Sequence, residues 1–152
     1  RDWSSDVCSS DPETLSFKRL DESATHPVRK HPFDAGLDLF ANHEGRIHPD
    51  EVRVVHTGLA VSIPPYYVGL LEPRSGLAVK DGVGIEGGVI DTGYHGELMI
   101  PLSLATQEPF DFDPGDRVAQ LIVLPVALPH PVFVEDLEDT ERGENGIGST
   151  GR

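Results

Sequence analysis

The chain has 152 residues, enough for one domain, and 38% of them are hydrophobic, enough for a real core. Its 26 acidic residues against 12 Lys plus Arg leave a net charge of −14, which disfavours a nucleic-acid polymer as partner while admitting an anionic small molecule held in a local basic pocket with a divalent cation. The single cysteine, Cys8, excludes an intrachain disulfide and a Cys-based zinc site, and no apolar run approaches the ~18 residues of a membrane span, so a cytoplasmic protein with no membrane contact is expected.

Residues 1–12 (RDWSSDVCSSDP) hold the only Trp and the only Cys, show no strand or helix period, and lack the apolar core of a signal peptide; they are read as a non-native or disordered extension. From there the pattern is β throughout, in short apolar runs punctuated by 16 Gly and 13 Pro. LSFKRL alternates as an edge strand, and LDLFA comes after a turn at Asp34. VRVVHTGLAVSI is a long β-branched run ended by Pro64 and Pro65. YYVGLLEP leads into PRSGLAVK, which is expected to form the one short helix. ELMIPLSL and RVAQLIVLPVAL are the last strands, the second ended by Pro129 and Pro131. These runs predict an all-β, jelly-roll-like barrel or sandwich over residues 13–134, with a polar, Gly-rich arm over 135–152 that cannot fold by itself.

The segment Gly87 to Leu102 (GGVIDTGYHGELMIPL) sets a carboxylate, Asp91, and a phenol, Tyr94, three residues apart in a Gly-flanked stretch read as a β-hairpin. Bare backbone at Gly87 and Gly88 would let a flat ligand lie against peptide N–H and C=O groups, with Asp91 as general base and Tyr94 packed on the next part of the ligand beyond its flat group. A hairpin with an Asx turn at Asp91 and a half-buried Tyr94 fits the same residues, and taken alone they leave both readings open. Elsewhere there is no GK[ST] phosphate loop and no G-x-S-x-G nucleophile elbow. The seven His are scattered without ligand spacing, and Asp111, Asp113 and Asp116 lack the glycine and glutamate of a calcium loop and read as a solvated turn.

Five stretches, in order, resemble the five motifs of the trimeric dUTPases: Asp34 to Ala41 (DAGLDLFA), Pro73 to Ala78 (PRSGLA), Gly87 to Leu102, Gly115 to Val126 (GDRVAQLIVLPV) and Arg142 to Gly151 (RGENGIGSTG). Together they cover roughly Leu15 to Gly151. The resemblance implies hydrolysis of dUTP to dUMP and pyrophosphate, keeping uracil out of DNA and supplying dUMP. By it, Asp91 activates the water that attacks the α-phosphorus and Tyr94 stacks on deoxyribose so closely that a 2′-hydroxyl is excluded. The backbone of Gly88, Val89 and Ile90 would read the uracil edge, and Met99 would line the pocket. Arg74, Ser75, Gly76 and Gln120 would hold the triphosphate, with Arg142, Gly148, Ser149 and Thr150 clamping it from the arm and Ile147 over the base. Asp38 would hold water around a Mg2+ carried by the phosphates. A homotrimer with active sites shared between subunits is implied as well.

Three positions depart from the family pattern: Ile147 where many relatives carry a stacking ring, His95 in place of a common Arg, and Ile85 where some have Asn. Two other functions share the fold expectation. A dCTP deaminase usually reads PRSSLAR in its second motif and carries Phe in place of the Tyr, against PRSGLAV and Tyr94 here. A non-catalytic nucleotide-sensing trimer would keep the pocket without turnover, and the intact Asp91 speaks against it.

Overall fold

The computed structural model describes residues 14–147 and 150, so the extension over 1–12 and the site candidates Gly148 and Ser149 lie outside the described residues. Among the described residues, ten strands and one helix succeed one another in chain order: β1 Ser16–Arg19, β2 Leu37–Phe40, β3 Gly45–Ile47, β4 Arg53–Ser62, β5 Tyr67–Glu72, α1 Ser75–Asp81, β6 Val83–Ile85, β7 Val89–Ile90, β8 Glu97–Leu104, β9 Phe110–Phe112 and β10 Arg117–Pro125. Two four-stranded antiparallel sheets, β1-β4-β8-β6 and β2-β10-β5-β7, together with the small pair β3-β9, make a jelly-roll-like sandwich with no closed barrel.

Alternation decides which side chains enter the core. Along β8, Leu98, Ile100 and Leu102 are fully buried while Met99 between them is exposed, the period of a strand with one wet face. They meet Leu39, Leu71 and Leu121 of the other sheet and Phe112 of β9 in one cluster. Each such side chain contributes about 1.5–3 kcal/mol by leaving water. In β4 the alternation breaks at Gly58 (φ 69°), where the register with β8 shifts between His56 and Ala60. This β-bulge leaves local polar groups without ladder partners, and buried Thr57 restores one bond by donating from Oγ1 to the Leu98 carbonyl at 2.8 Å.

The predicted edge strand is β1, and the predicted helix is α1, stopped at Gly82 in the left-handed conformation (φ 69°). The hairpin reading of Gly87 to Leu102 requires correction. β7 pairs with β5 in one sheet, whereas β8 pairs with β4 and β6 in the other, so the segment between them crosses from sheet to sheet. Gly87 and Gly88, at φ 77° and 103°, end the run of β6 and turn the chain across the gap. Asp111, read as part of a turn, lies in β9 and accepts both Nε and Nη2 of Arg46 on β3; Asp113 and Asp116 do form a turn.

Candidate active site

The crossing segment builds a cavity of about 250 Å³ lined by Leu71, Gly88, Val89, Ile90, Asp91, Tyr94, Glu97, Met99 and Pro101. Its wall is fastened to β5: Ile90 pairs with Gly69, Val89 with Leu70, and the Leu71 N–H donates to the Gly88 carbonyl at 2.8 Å. A Cβ on Gly88 would stand 2.9 Å from the Leu71 carbonyl oxygen, so this glycine serves the close approach of two backbones as well as any ligand. Gly87 has open space where a Cβ would point, and its φ is what calls for glycine.

Asp91 lies exposed at the lip of the cavity, in a backbone turn closed by the Tyr94 N–H donating to the Asp91 carbonyl at 3.2 Å, with Gly93 at φ 90°. This backbone turn takes the place of the Asx turn. Thr92 pins the turn from behind, its Oγ1 lying 2.9 Å from the Pro64 carbonyl and 3.2 Å from that of Tyr67. Tyr94 folds back so that its hydroxyl donates to the backbone carbonyl of Glu97 at 2.9 Å, leaving the residue 41% exposed. Only glycine fits at position 96 with the ring so placed, since a Cβ there would fall 2.6 Å from the phenol oxygen.

Glu97 itself is anchored. Its Oε1 accepts the Gly58 N–H at 2.9 Å and its Oε2 accepts His56 Nδ1–H at 2.9 Å. Partial burial works against ionisation of this carboxyl, but the bonds from His56, Gly58 and Thr57 prevail and hold it below the ordinary carboxylate range.

A second group of candidates gathers at the C-terminal end of β5. Asp38, Gln120 and Glu72 stand in register across β2, β10 and β5. The Asp38 carboxylate takes Arg74 Nε at 3.1 Å and lies 3.4 Å from Arg117 Nε. Gln120 donates its amide to the Pro73 carbonyl at 3.0 Å, and its Oε1 fills the space over Gly36, where a Cβ would come within 2.1 Å. Both residues therefore brace the start of the second motif. Ser75 and Gly76 open α1 on the surface, and nothing of the chain itself lies within 4 Å of a Cβ on Gly76, so own-chain packing does not account for that glycine.

The donor set suits a magnesium ion that rides on phosphates. No group of three or more His, Cys, Asp or Glu among the described residues could cage a metal, and the Asp38 carboxylate, 14% exposed, already faces two guanidiniums.

Asp91 and Arg74 stand apart within one chain. Ile90, next to Asp91, pairs with Gly69, and Arg74 lies five residues past Gly69, roughly 16 Å along an extended strand. Arg142 donates Nε to the Asn145 carbonyl at 3.0 Å, and Ile147 and Thr150 are exposed. Glu97 and Arg117 carry no role on sequence grounds, although both lie inside the motif stretches. A signal for Glu97 was its place three residues after the ring, at the first position of a strand; for Arg117, the run GDR at the mouth of β10.

Comparison with known proteins agrees with this fold. The dUTPase family model matches residues 22–151. A deoxyuridine 5′-triphosphate nucleotidohydrolase of Rhodococcus erythropolis is 45% identical over 145 residues, covering 93% of this chain and 88% of the relative. The protein of that name from Mus musculus is 42% identical over 142 residues, again 93% and 88%. Among solved structures, a Staphylococcus bacteriophage 80alpha dUTPase variant with dUpNHpp superposes with a TM-score of 0.87 at 36% identity, over 93% of this chain and 100% of that one. A phage phi11 dUTPase variant, described as showing the coordination of a structural Mg(II) ion, superposes at 0.75 and 36% identity, over 83% and 99%. The fold and these matches define a nucleotide hydrolase on a β-sandwich. The chain belongs to the dUTPase family.

Proposed function

We propose that this chain hydrolyses dUTP to dUMP and pyrophosphate through a water that Asp91 orients and deprotonates for attack on the α-phosphorus. The observation that carries the reading is the cavity at the crossing segment, where the exposed Asp91 carboxylate, the backbone of Gly88 to Ile90, and the Tyr94 ring face one space large enough for a nucleoside. A carboxylate in contact with solvent at the lip can take a proton from a bound water. The Gly88 to Ile90 backbone suits pairing with the uracil edge, the Tyr94 ring suits the deoxyribose, and Met99 closes the side. Arg74, with Ser75, Gly76 and Gln120, suits the phosphate oxygens, the guanidinium through its planar fork. Bound on the phosphates and contacting Asp38 through water, Mg2+ would supply neutralising charge.

The separation of Asp91 from Arg74 along β5 supports a site shared between subunits of a homotrimer, each chain lending its pocket to one neighbour and its arginine cluster to another. The stretch after β10 supports it too. Every residue from 127 to 147 is exposed, including Leu128, Val132, Phe133, Val134 and Leu137, apolar side chains that a neighbouring subunit could cover. In this reading residues 13–134 form the β domain and 135–152 close over a neighbouring active site, with Arg142, Gly148, Ser149 and Thr150 on the phosphates and Ile147 over uracil. No described helix is long and apolar enough to cross a membrane, and a cytoplasmic location suits the substrate.

Incubation with dUTP, dCTP, UTP and dTTP, each with magnesium, tests the reading by separate measurement of pyrophosphate and ammonia. Pyrophosphate from dUTP alone is expected. Ammonia from dCTP would assign a deaminase, and absence of product with tight dUTP binding a sensing trimer; either result overturns the proposal.

A further inference from the structure

The pocket depends on a residue that touches no reacting atom. Tyr94 hangs by its hydroxyl from the backbone carbonyl of Glu97, and the Glu97 carboxylate is clamped at both oxygens, on the bulged N–H of Gly58 and on His56. Gly58 is where β4 loses register with β8, so its N–H lacks the ladder partner a regular strand would provide. The carboxylate replaces that partner and, beside the ladder pair of Glu97 with Ala60, helps to fix the first residue of β8. The His56 side is supported in turn: the His56 backbone N–H donates to His43 Nε2 at 3.0 Å, and the His43 ring packs edge-on against Phe112 with centroids 5.3 Å apart. A chain of contacts thus runs from the core through His43, His56 and Glu97 to the phenol.

We propose that Glu97 is a positioning residue that sets substrate selectivity at the sugar: by holding the start of β8 on the β4 bulge, it fixes the carbonyl from which Tyr94 hangs and so how closely the ring can approach C2′ of a bound nucleotide. The inference rests on the reading of Tyr94 as the wall against deoxyribose. With the clamp released, the phenol loses a fixed acceptor and the ring can withdraw toward solvent, on which it is already open. Room then appears for a 2′-hydroxyl, and a ribonucleotide is admitted. The amide of Gln retains an oxygen for the Gly58 N–H, so Glu97→Gln keeps the half of the clamp that Ala loses.

The test measures kcat and KM for dUTP and UTP in the parent, Glu97→Ala, Glu97→Gln, His56→Ala and Tyr94→Phe, beside the thermal midpoint of each. In Glu97→Ala the dUTP-to-UTP ratio of kcat/KM is expected to fall ~10-fold or more, with KM for dUTP raised more than kcat is lowered, since sub-ångström placement of a wall governs such discrimination. Glu97→Gln should restore most of the ratio. His56→Ala, which leaves the Gly58 anchor, should lower it about threefold and carries the test if Glu97→Ala does not fold. Tyr94→Phe keeps the ring but lacks the hydroxyl that uses the clamp, so adding Glu97→Ala to it should cost little further selectivity. A fall in thermal midpoint with the ratio unchanged, in either Glu97→Ala or His56→Ala, would show a strut with no role in selectivity and overturn the inference. A parent that does not discriminate dUTP from UTP would instead remove the Tyr94 reading itself, a result visible before any variant is made.

Discussion

The crossing segment over residues 86–97 and the arm from 135 on both contain glycine at turns, and they use it in opposite ways. In the crossing segment Gly88 and Gly96 stand where a Cβ would strike the Leu71 carbonyl or the Tyr94 phenol, and Gly87 and Gly93 hold positive φ. Glycine there lets neighbouring groups come close, and the pocket exists before any ligand arrives. In the arm, a Cβ on Gly146 would meet nothing within 4 Å and one on Gly143 only a carbonyl at 3.9 Å, and the hydrogen bonds of this stretch are local, as from Arg142 to Asn145 and from Gly143 to Thr140. Ahead of the arm, the Val126 N–H donates to the Tyr66 carbonyl at 2.8 Å and ties the chain to the sandwich. One region is shaped by its neighbours in the fold; the other is held only by local contacts. The same residue type therefore signals pre-organisation in one place and adaptability in the other, and only the neighbours distinguish them.

The largest effect should come from the pre-organised side. Asp91→Asn keeps the shape of the lip but cannot take a proton, so kcat is expected to drop ~10²- to 10⁴-fold while dUTP binding, tracked by calorimetry, stays nearly intact. A kcat within a few fold of the parent would remove the general base from this site. Next, deletion of everything from Arg142 onward sharpens the contrast. The thermal midpoint should hold, since the arm adds nothing to the core, while turnover falls on the order of 10²-fold through lost phosphate contacts. Full activity in the truncated protein would place the phosphate clamp elsewhere. Removal of residues 1–12 should alter neither quantity.

Smaller changes probe each region from within. Ile147 is 110% exposed, and in the proposed closed arm it would cover uracil by dispersion alone; Ile147→Phe would add an aromatic term of about 0.5–1.5 kcal/mol, read as a KM for dUTP lower by several fold with kcat little changed. An unchanged or higher KM would mean that the arm does not close over the base. At the junction of the two regions, Tyr66 sits at φ 64°, a conformation that strains a bulky side chain. Tyr66→Gly should stabilise the sandwich by ~0.5–1 kcal/mol after the entropy of glycine is counted, seen as a rise of a few degrees in thermal midpoint. The smallest expected change concerns acid stability. Glu97 ionises below its ordinary value of 4.5, so its contribution is present above that pH and is lost as pH falls through the lower folded value. Glu97→Gln should therefore flatten the acid end of the stability profile below about pH 5, and an unchanged profile would deny the clamp its charge.

Much of this architecture was legible from local pattern. The β-branched run that became β4, the alternation that buried Leu98, Ile100 and Leu102, the helix ended at Gly82 and the five ordered motifs all depend on residues close together in the chain. β3 and β9 escaped notice because three-residue strands carry almost no period, and the Arg46–Asp111 pair that joins them spans 65 positions. The hairpin reading of the crossing segment failed for a related reason. Two β runs separated by a short turn look like partners in sequence, yet hydrogen bonding went to β5 on one side and to β4 and β6 on the other.

The sequence by itself determined the strand-forming runs, the glycine and proline breaks between them, and the family to which Asp91, Tyr94 and Arg74 point, because propensity, side-chain period and motif spacing are properties of neighbours along the chain. Tertiary structure alone decided which sheet each run joined, that Asp38 would lie between Arg74 and Arg117, and that Glu97 would hold the Tyr94 ring by way of a bulge 39 positions away. Those outcomes were set by which orphaned backbone and charged groups found a partner once the two sheets closed on a common core, and no local pattern records that choice.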